Sequence, residues 1–303
     1  MSIRIGIDLG GTKIEIIALD DTGRTLIRKR TATPQKNYLE ILRTTVNLVN
    51  SVEKSIGDQG TVGVAIPGAI SLASGTIKNS NTTCMIGEAF ERDLESALDR
   101  PVRISNDANC FTLSEAVDGA GQGAAVVFGA ILGTGVGGGI TVNGKVLAGV
   151  NAIAGEWGHN PLPWSRADEL PGPACYCGKQ GCIETFLSGP GLAGDYKVMT
   201  GTDIDPRALV EQSNNGDETA KATLDRYCNR CARALANVIN ILDPGVIVVG
   251  GGLSNIADLY IRVPEMWTQY VFSDRVDTQL KPAQHGDSSG VRGAAWLWPP
   301  GTN

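Results

Sequence analysis

Three cysteines and one histidine have the residue types and the spacing of a metal site. Cys175, Cys177 and Cys182 follow a C-x-C-x4-C pattern, and His159 lies sixteen residues before the first of them. Three thiolates and one imidazole make a closed tetrahedral ligand set, which is typical of structural zinc. Three unrelated cysteines and a redox-active C-x-C pair are the alternatives. We predict a structural Zn²⁺ ion held by these four side chains.

Glycines mark three places where the backbone can come close to a ligand. The chain has 39 glycines in 303 residues, and they are concentrated at residues 10–11, 133–139 and 250–252, each after an apolar run. Without a Cβ, the N–H groups at the end of a strand can approach phosphate oxygens closely. Three such clusters in one chain indicate a phosphate-rich ligand, although each cluster alone would fit a tight turn equally well.

Two familiar phosphate loops do not fit these clusters. Residues 133–138 satisfy the G-x-G-x-x-G pattern of a dinucleotide-binding loop, but that loop must lead directly into a helix. Here it leads into a strand pattern and then the hairpin pair Asn143-Gly144. No Walker A pattern, G-x-x-x-x-G-K-[ST], occurs in the chain. The remaining interpretation is a phosphate held by backbone amides and a Thr hydroxyl in strand–turn–strand hairpins.

Hydrophobic periodicity predicts the elements that position these residues. The pattern predicts strands over residues 3–7, 14–19, 25–33, 61–66, 102–105, 125–132, 138–142 and 246–249. It predicts helices over residues 38–55, 90–98, 108–117, 217–242 and 291–297. Strands and helices in this order predict an α/β fold with a mixed sheet.

The chain repeats one arrangement at the scale of a domain. Gly11-Thr12 and Gly133-Thr134 each lie between paired strands, 122 residues apart. This period is too long for a solenoid and indicates two similar α/β lobes with a cleft between them. We expect an N-terminal lobe over residues 1–118, joined by the last helix at about 290–303, and a C-terminal lobe over residues 119–289 that carries the zinc loop.

Composition excludes several classes of protein. Lys and Arg number 26 against 32 Asp and Glu, so the formal net charge is −6, and aromatic residues make up 5%. Such a chain has no electrostatic reason to bind nucleic acid. No apolar run approaches the roughly 18 residues that cross a membrane, and no targeting segment is expected. Seven cysteines, an odd count, argue against a disulfide framework, so we expect a cytoplasmic protein.

The two Gly-Thr hairpins resemble those of a known group of ATPases. Asp8-Leu9-Gly10-Gly11-Thr12-Lys13 and Leu132-Gly133-Thr134-Gly135 are similar to the phosphate hairpins of the sugar-kinase, actin and heat-shock ATPase fold. Within that fold the chain resembles the ROK family of bacterial sugar kinases and repressors, from Ile5 to Trp298 and most specifically over residues 154–184. Residues 160–164 and 285–290 are most similar to bacterial manno(fructo)kinases. The resemblance implies a two-lobed actin-like (ribonuclease H-like) ATPase fold.

The resemblance implies an ATP-dependent hexose kinase that uses Mg²⁺. Phosphoryl transfer to a hydroxyl needs a carboxylate beside the attacking oxygen, and Asp107 matches the catalytic aspartate of the family. The alternative role for Asp107 is to cap the helix predicted at residues 108–117. Asp8 would hold Mg²⁺ through water, and Lys13 either reaches the phosphates or is a solvated strand residue. The residues implied to bind ATP are Asp8, Gly10, Gly11, Thr12, Lys13, Gly133, Thr134, Gly135, Gly137, Gly251 and Gly252.

A hexose presents hydroxyls that both donate and accept hydrogen bonds, so amides and carboxylates must pair with them. We expect zinc to bind one nitrogen of His159, leave the other free for a sugar hydroxyl, and help to position Glu184. Asn79 to Asn81 could equally be a polar loop. The predicted sugar-binding residues are Gly68, Asn81, Asn106, Asp107, Glu156, His159 and Glu184.

The preferred hypothesis is a fructokinase that makes fructose 6-phosphate and also accepts mannose. N-acetylglucosamine kinases and glucokinases of this family share every motif above and are the alternatives. A sugar-sensing regulator is disfavoured, because such relatives carry a helix-turn-helix extension before the first hairpin and here only seven residues precede Asp8. The family also implies a homodimer. Cys228 and Cys231 are predicted to pack in the core rather than form a redox pair, and His285, Trp296 and Trp298 are assigned only to packing.

Overall fold

A computed structural model describes residues 2–80 and 82–299 and shows the α/β fold that the sequence predicts. The strands are β1 (Arg4–Leu9), β2 (Lys13–Leu19), β3 (Thr25–Ala32), β4 (Thr61–Ile66), β5 (Ala69–Ile70), β6 (Ile77–Lys78), β7 (Val102–Asn106), β8 (Val126–Leu132), β9 (Val136–Val142), β10 (Lys145–Val146), β11 (Val246–Gly250) and β12 (Gln279–Pro282). The helices are α1 (Tyr38–Ile56), α2 (Phe90–Leu98), α3 (Asp107–Asp118), α4 (Ile183–Leu187), α5 (Gly189–Thr200), α6 (Pro206–Asn214), α7 (Glu218–Leu242), α8 (Asp258–Trp267) and α9 (Ser289–Trp296).

Two five-stranded sheets have the same strand order. The first is β3-β2-β1-β4-β7 and the second is β10-β9-β8-β11-β12. In each sheet three neighbouring strands are parallel, β1, β4 and β7 in the first and β8, β11 and β12 in the second. The strands at the opposite edge pair in antiparallel fashion, β3 with β2 and β10 with β9. The internal repeat that the two Gly-Thr turns indicate is therefore a repeat of sheet topology.

The described residues form two compact units. Unit 1 comprises the residues up to 122, residues 139–154, and those from 287 onward, and unit 2 comprises residues 123–138 and 155–286. The boundary differs from the sequence expectation over residues 139–154. Gly139 explains why this segment belongs to unit 1, since a Cβ there would lie 2.6 Å from the carbonyl oxygen of Ala108 in α3. The second half of β9 thus packs directly on that helix.

In unit 1, the last helix of the chain lies against the first sheet. A Cβ on Gly6 of β1 would lie 2.1 Å from the Val291 carbonyl oxygen, and one on Gly63 of β4 would lie 1.9 Å from that of Ala294. Glycine is needed at both positions because the helix backbone touches the sheet backbone. Trp296 and Trp298 pack as expected, and their indole N–H groups donate to Asp118 and to the carbonyl oxygen of Val62.

In unit 2, a buried ion cluster joins α7 to the segment that precedes the predicted zinc loop. Glu169 Oε1 lies 2.6 Å from Arg233 Nη2 and 2.9 Å from Arg230 Nε, and all three side chains are less than 10% exposed. Arg233 Nη1 also donates to the Trp164 carbonyl oxygen at 2.8 Å. Burial opposes ionisation of Glu169, but hydrogen bonds from these groups lower its pKa to about 2. The carboxylate therefore stays charged and holds the segment on the helix.

Two further cysteines lie in the core of unit 2. Cys228 and Cys231 of α7 are fully buried, and burial raises the pKa of both thiols. Their burial fits the predicted role in core packing. None of the helices in the described residues is both long enough and apolar enough to span a bilayer.

Candidate active site

Unit 1 places Asp107 where a parallel strand runs into a helix. The Asn106 side chain caps α3, since its Oδ1 accepts a hydrogen bond from Ala108 N at 2.9 Å. Asp107 is the first residue of α3, and its Oδ1 accepts from the same N–H at 2.8 Å. The cap is therefore the neighbouring asparagine, and the Asp107 carboxylate stands at the carboxyl end of β7.

Asn106 also holds the turn at Gly68 next to Asp107 and the start of α3. Its Nδ2 donates to the Gly68 carbonyl oxygen at 3.0 Å. Gly68 has a φ of +88°, and a Cβ there would lie 2.4 Å from the Lys78 carbonyl oxygen. A side chain at position 68 would thus push the turn away from Asn106. Asn81, which the sequence adds to this set, lies outside the described residues.

The carboxylates of Asp8 and Asp107 are near enough for their negative charges to repel each other. Burial, followed by the negative charges of Asp107 and Glu15, raises the pKa of Asp8 to about 6. A group of carboxylates that repel one another is stabilised by a hard divalent cation, which prefers oxygen ligands. The donor set at Asp8 therefore fits Mg²⁺.

The first Gly-Thr hairpin is fixed at its base and exposed at its tip. Gly10 N donates to the Lys13 carbonyl oxygen at 3.0 Å, while Thr33 binds the carbonyl oxygens of Gly10 and Thr12. Gly11, Thr12 and Lys13 are exposed. The backbone is thus held in shape, and the residues at the tip are accessible to a ligand.

The second hairpin is shorter than the sequence predicts. Gly133 N donates to the Gly135 carbonyl oxygen at 3.0 Å, and β9 already begins at Val136. Gly137 is therefore a strand residue, and its carbonyl oxygen accepts a hydrogen bond from Trp157 Nε1 at 2.8 Å. The structure thus places Gly137 against Trp157, beyond the tip of the turn.

A cavity of about 750 Å³ in unit 2 brings the second and third glycine clusters together. Gly133, Thr134 and Gly252 line it. The neighbouring Gly251 needs its positive φ of +81°, since a Cβ there would lie 2.4 Å from the Leu132 carbonyl oxygen. Sequence reasoning missed the apolar wall of this cavity, which Ala193, Ile204, Pro206, Val210 and Ile256 supply.

The four predicted zinc ligands converge. Their donor atoms all lie within 4.8 Å of one another, with Cys175 Sγ 3.6 Å from His159 Nδ1 and Cys177 Sγ 3.6 Å from Cys182 Sγ. A tetrahedral zinc ion with Zn–S of about 2.3 Å and Zn–N of about 2.0 Å separates its ligand atoms by about 3.5–3.8 Å. The residues present therefore fit the ion.

The second nitrogen of His159 is not free in this structure, in contrast to the sequence expectation. Tyr176 lies between two of the cysteines, and its Oη is 2.9 Å from His159 Nε2, with the two rings edge to face. The Tyr176 side chain is otherwise mostly exposed. The Tyr176 hydroxyl thus takes the position at Nε2 that the sequence assigns to a sugar hydroxyl.

Glu184 lies on α4, two residues after the last cysteine of the cluster. Its Oε2 accepts a hydrogen bond from Val136 N at 2.8 Å, so the carboxylate contacts the second hairpin. Burial, followed by the negative charges of Glu184 and of groups that include Glu156, raises the pKa of Tyr176. Glu184, Tyr176 and Thr134 line a cavity of about 660 Å³ in unit 2. His159, Glu156 and Glu184 thus all lie near Tyr176.

Comparison with known proteins assigns this combination of fold and site to a family. The profile of the ROK family matches residues 4–300, so the chain belongs to the ROK family. N-acetyl-D-glucosamine kinase of Pectobacterium carotovorum is 39% identical over 296 residues, which cover 96% of this chain and 97% of that protein.

Solved structures agree with this assignment. The ROK hexokinase of Thermus thermophilus superimposes with a TM-score of 0.86 at 31% identity, covering 97% of each chain. A ROK family glucokinase from Streptomyces griseus, in complex with glucose and AMPPNP, gives 0.75 at 28% identity over 99% of this chain and 100% of that one. The chain is accordingly an enzyme of the ATP:sugar phosphotransferase class. The finer expectation of a manno(fructo)kinase finds no support in these matches.

Proposed function

We propose that this enzyme transfers the terminal phosphate of ATP to a hydroxyl of N-acetyl-D-glucosamine. The observation that carries the reaction type is the Asp107 carboxylate, fixed at the start of α3 beside Asn106 and Gly68. The choice of sugar, which was an alternative at the level of sequence, rests on similarity to N-acetyl-D-glucosamine kinases. Fructose is the second candidate, because residues 160–164 and 285–290 resemble manno(fructo)kinases.

Asp107 is the proposed general base. Its carboxylate would accept the proton of the attacking hydroxyl by virtue of its position. Asn106 and Gly68 hold its backbone at the end of β7, and Asn106 is also a proposed sugar ligand.

The two hairpins are the proposed phosphate sites. Backbone N–H groups and the Thr12 and Thr134 hydroxyls would donate to phosphate oxygens, with Lys13 adding a positive charge. Asp8 would hold Mg²⁺, which, when bound, neutralises charge on the phosphates. The cavity beside Gly251 and Gly252 would take the adenosine, with the apolar side chains of α5 and α6 against the base.

The proposed sugar ligands in unit 2 are Glu156, His159 and Glu184. The Zn²⁺ ion that His159, Cys175, Cys177 and Cys182 would hold supplies a rigid anchor for the loop rather than chemistry. With His159 Nδ1 turned to the cysteines, Nε2 carries the proton and donates. A sugar hydroxyl that accepts this hydrogen bond would displace Tyr176.

We further propose that the two sheets of equal strand order are the two lobes of an actin-like ATPase fold. The proposal is supported by the Gly-Thr hairpin at the equivalent place in each sheet, β1–β2 in one and β8–β9 in the other.

A coupled ATP assay over a panel of sugars tests the substrate assignment. We expect the highest kcat/KM for N-acetyl-D-glucosamine among that sugar, fructose, mannose, glucose and N-acetylmannosamine. A higher value for fructose would overturn the choice of sugar in favour of the second candidate. Phosphorylation of none of the five would overturn the proposed function.

A further inference from the structure

The second Gly-Thr hairpin is held at both ends by residues of one short segment, Glu184 in helix α4 and Gly189 just after it. Glu184 Oε2 accepts the hydrogen bond of Val136 N at 2.8 Å, although the two residues are 48 positions apart in sequence. Gly189 N donates to the Gly133 carbonyl oxygen at 2.7 Å. The turn between these two points is therefore clamped from one side by a single short segment, residues 184–189.

The Glu184 carboxylate lies directly against Gly135 and bonds to the buried Val136. A Cβ on Gly135 would lie 2.7 Å from Glu184 Oε2, so a side chain at position 135 would displace the end of the Glu184 side chain from the turn. Val136 is 6% exposed. Without the carboxylate, its N–H would be left as a buried donor with no acceptor, which is strongly unfavourable.

We propose that Glu184 is a positioning residue for the phosphate hairpin in addition to its role in the sugar site. This inference rests on the proposed function for the assignment of the hairpin to ATP. Through Oε2 the carboxylate fixes Val136 and hence the turn at Gly133 to Gly135. Among the described residues no hydrogen bond reaches Oε1, which remains available to a sugar hydroxyl in the cavity that Glu184 lines. One side chain thereby couples the positions of the two substrates.

The effect of removing Glu184 on nucleotide binding depends on whether the residue acts through its charge or by positioning the hairpin. A carboxylate close to phosphates repels them, so if Glu184 acted only through its charge, its removal would strengthen nucleotide binding. If Glu184 positions the hairpin, loss of the acceptor weakens nucleotide binding even in the absence of sugar. Glutamine separates the two effects, because its amide oxygen can still accept from Val136 N but carries no charge.

Titration calorimetry of the full-length, zinc-loaded enzyme with Mg²⁺ and AMPPNP, without sugar, tests the proposal. We expect Glu184→Ala to weaken AMPPNP binding about tenfold, the effect of a lost charge-assisted hydrogen bond, and Glu184→Gln to stay within about threefold of the wild type. Thr185→Val is the matched control on the same helix: its hydroxyl donates to the Cys182 carbonyl oxygen at 2.7 Å and, within the described part of the chain, forms no hydrogen bond with the hairpin. We expect no change in AMPPNP affinity for this variant.

AMPPNP affinity of Glu184→Ala equal to or above that of the wild type would overturn the proposal. If Glu184→Ala does not fold, Gly135→Ala provides the second test, since it keeps the carboxylate but forces it off the turn, and we expect the same tenfold loss. Failure of the proposed function has a different signature: the wild type would bind AMPPNP yet phosphorylate none of the sugars in the panel.

Discussion

At the scale of single residues, the position of Asp107 follows from the polar groups that end β7 and begin α3. The Asn106 side chain caps the helix by accepting from Ala108 N, and Asp107 accepts from the same N–H. The negative charge of Asp107 raises the pKa of Asp8. Under the proposed function, a carboxylate in this position acts as a base because it is held where the reacting hydroxyl would lie. Its replacement should therefore affect turnover and leave binding intact.

We expect Asp107→Asn to lower kcat by about 10²- to 10⁴-fold, the usual contribution of a general base. The asparagine side chain can still accept from Ala108 N, so AMPPNP and sugar affinities should stay within about threefold of the wild type. Steady-state kinetics and titration calorimetry measure the two quantities separately. A variant with kcat within tenfold of the wild type would show that another group is the base.

Sequence alone could identify these residues but not all of their contacts. The C-x-C-x4-C spacing predicts the zinc ligands because a short loop must bring its own side chains together. The hydrogen bond from Val136 to Glu184 joins residues 48 positions apart, and no local pattern reports it. Tyr176 was missed because it lies between two ligands, where sequence says nothing of which way its side chain turns.

At the scale of elements, strands and long helices were predicted well because their periodicity is strong. Strand β4 and helix α2 have the predicted bounds, and α7 differs by one residue. Helices α4, α5, α6 and α8 and the short strands β5, β6, β10 and β12 were not predicted. Three glycines interrupt the pattern of α5, Pro264 lies inside α8, and α6 has only nine residues. Asp205 as cap followed by Pro206 is a helix-start signal that could have revealed α6.

The loop that would hold Zn²⁺ leads directly into helix α4, so under the proposed function removal of the metal should affect both. We expect a chelator to lower the Tm and the sugar affinity, and added Zn²⁺ to restore them, because α4 begins directly after Cys182. Cys177→Ser should have the same effects without chelator. Cys84→Ser, a thiol outside the cluster, is the control and should change neither quantity. Metal loss with unchanged Tm and sugar affinity would contradict this role.

The ion cluster that joins α7 to residues 163–169 predicts a pH-dependent stability. Because the pKa of Glu169 is lowered from 4.5 to about 2, its contribution is complete above pH 4.5 and is lost as the pH falls toward 2. We expect Glu169→Gln to lower the free energy of unfolding by about 3 kcal/mol at pH 7, since Arg230 and Arg233 lose their buried partner. Urea unfolding should show this difference shrinking below pH 4.5.

The control for this prediction is Asp203→Asn. Asp203 pairs with Lys197 at 2.8 Å, but its side chain is 84% exposed. We expect a change below about 1 kcal/mol at every pH. A constant difference between Glu169→Gln and the wild type from pH 7 to pH 3 would mean that packing, rather than charge, accounts for the effect.

At the scale of the whole molecule, one sheet topology is used twice, and the second copy is recognisable in the sequence by its Gly-Thr turn. The strand order itself was not predictable, because it depends on pairings such as β4 with β7 that lie far apart in the chain. That residues 139–154 belong to unit 1 was likewise not predictable, because it too depends on a contact between residues far apart in the chain. It depends on the contact of Gly139 with α3, which no boundary signal in the sequence reports.

The return of the last helix to the first sheet offers a test of how unit 1 is held together. Gly63 of β4 touches the backbone of α9, and a Cβ there would lie 1.9 Å from the Ala294 carbonyl oxygen. Gly63→Ala must push the helix off the sheet, and we expect it to lower the free energy of unfolding by at least about 3 kcal/mol, measured by urea unfolding. Gly194→Ala is the matched control, because that glycine lies inside α5 with open space around it and should gain up to about 1 kcal/mol. Equal stability of the two variants would show that α9 is not packed on β4 in solution.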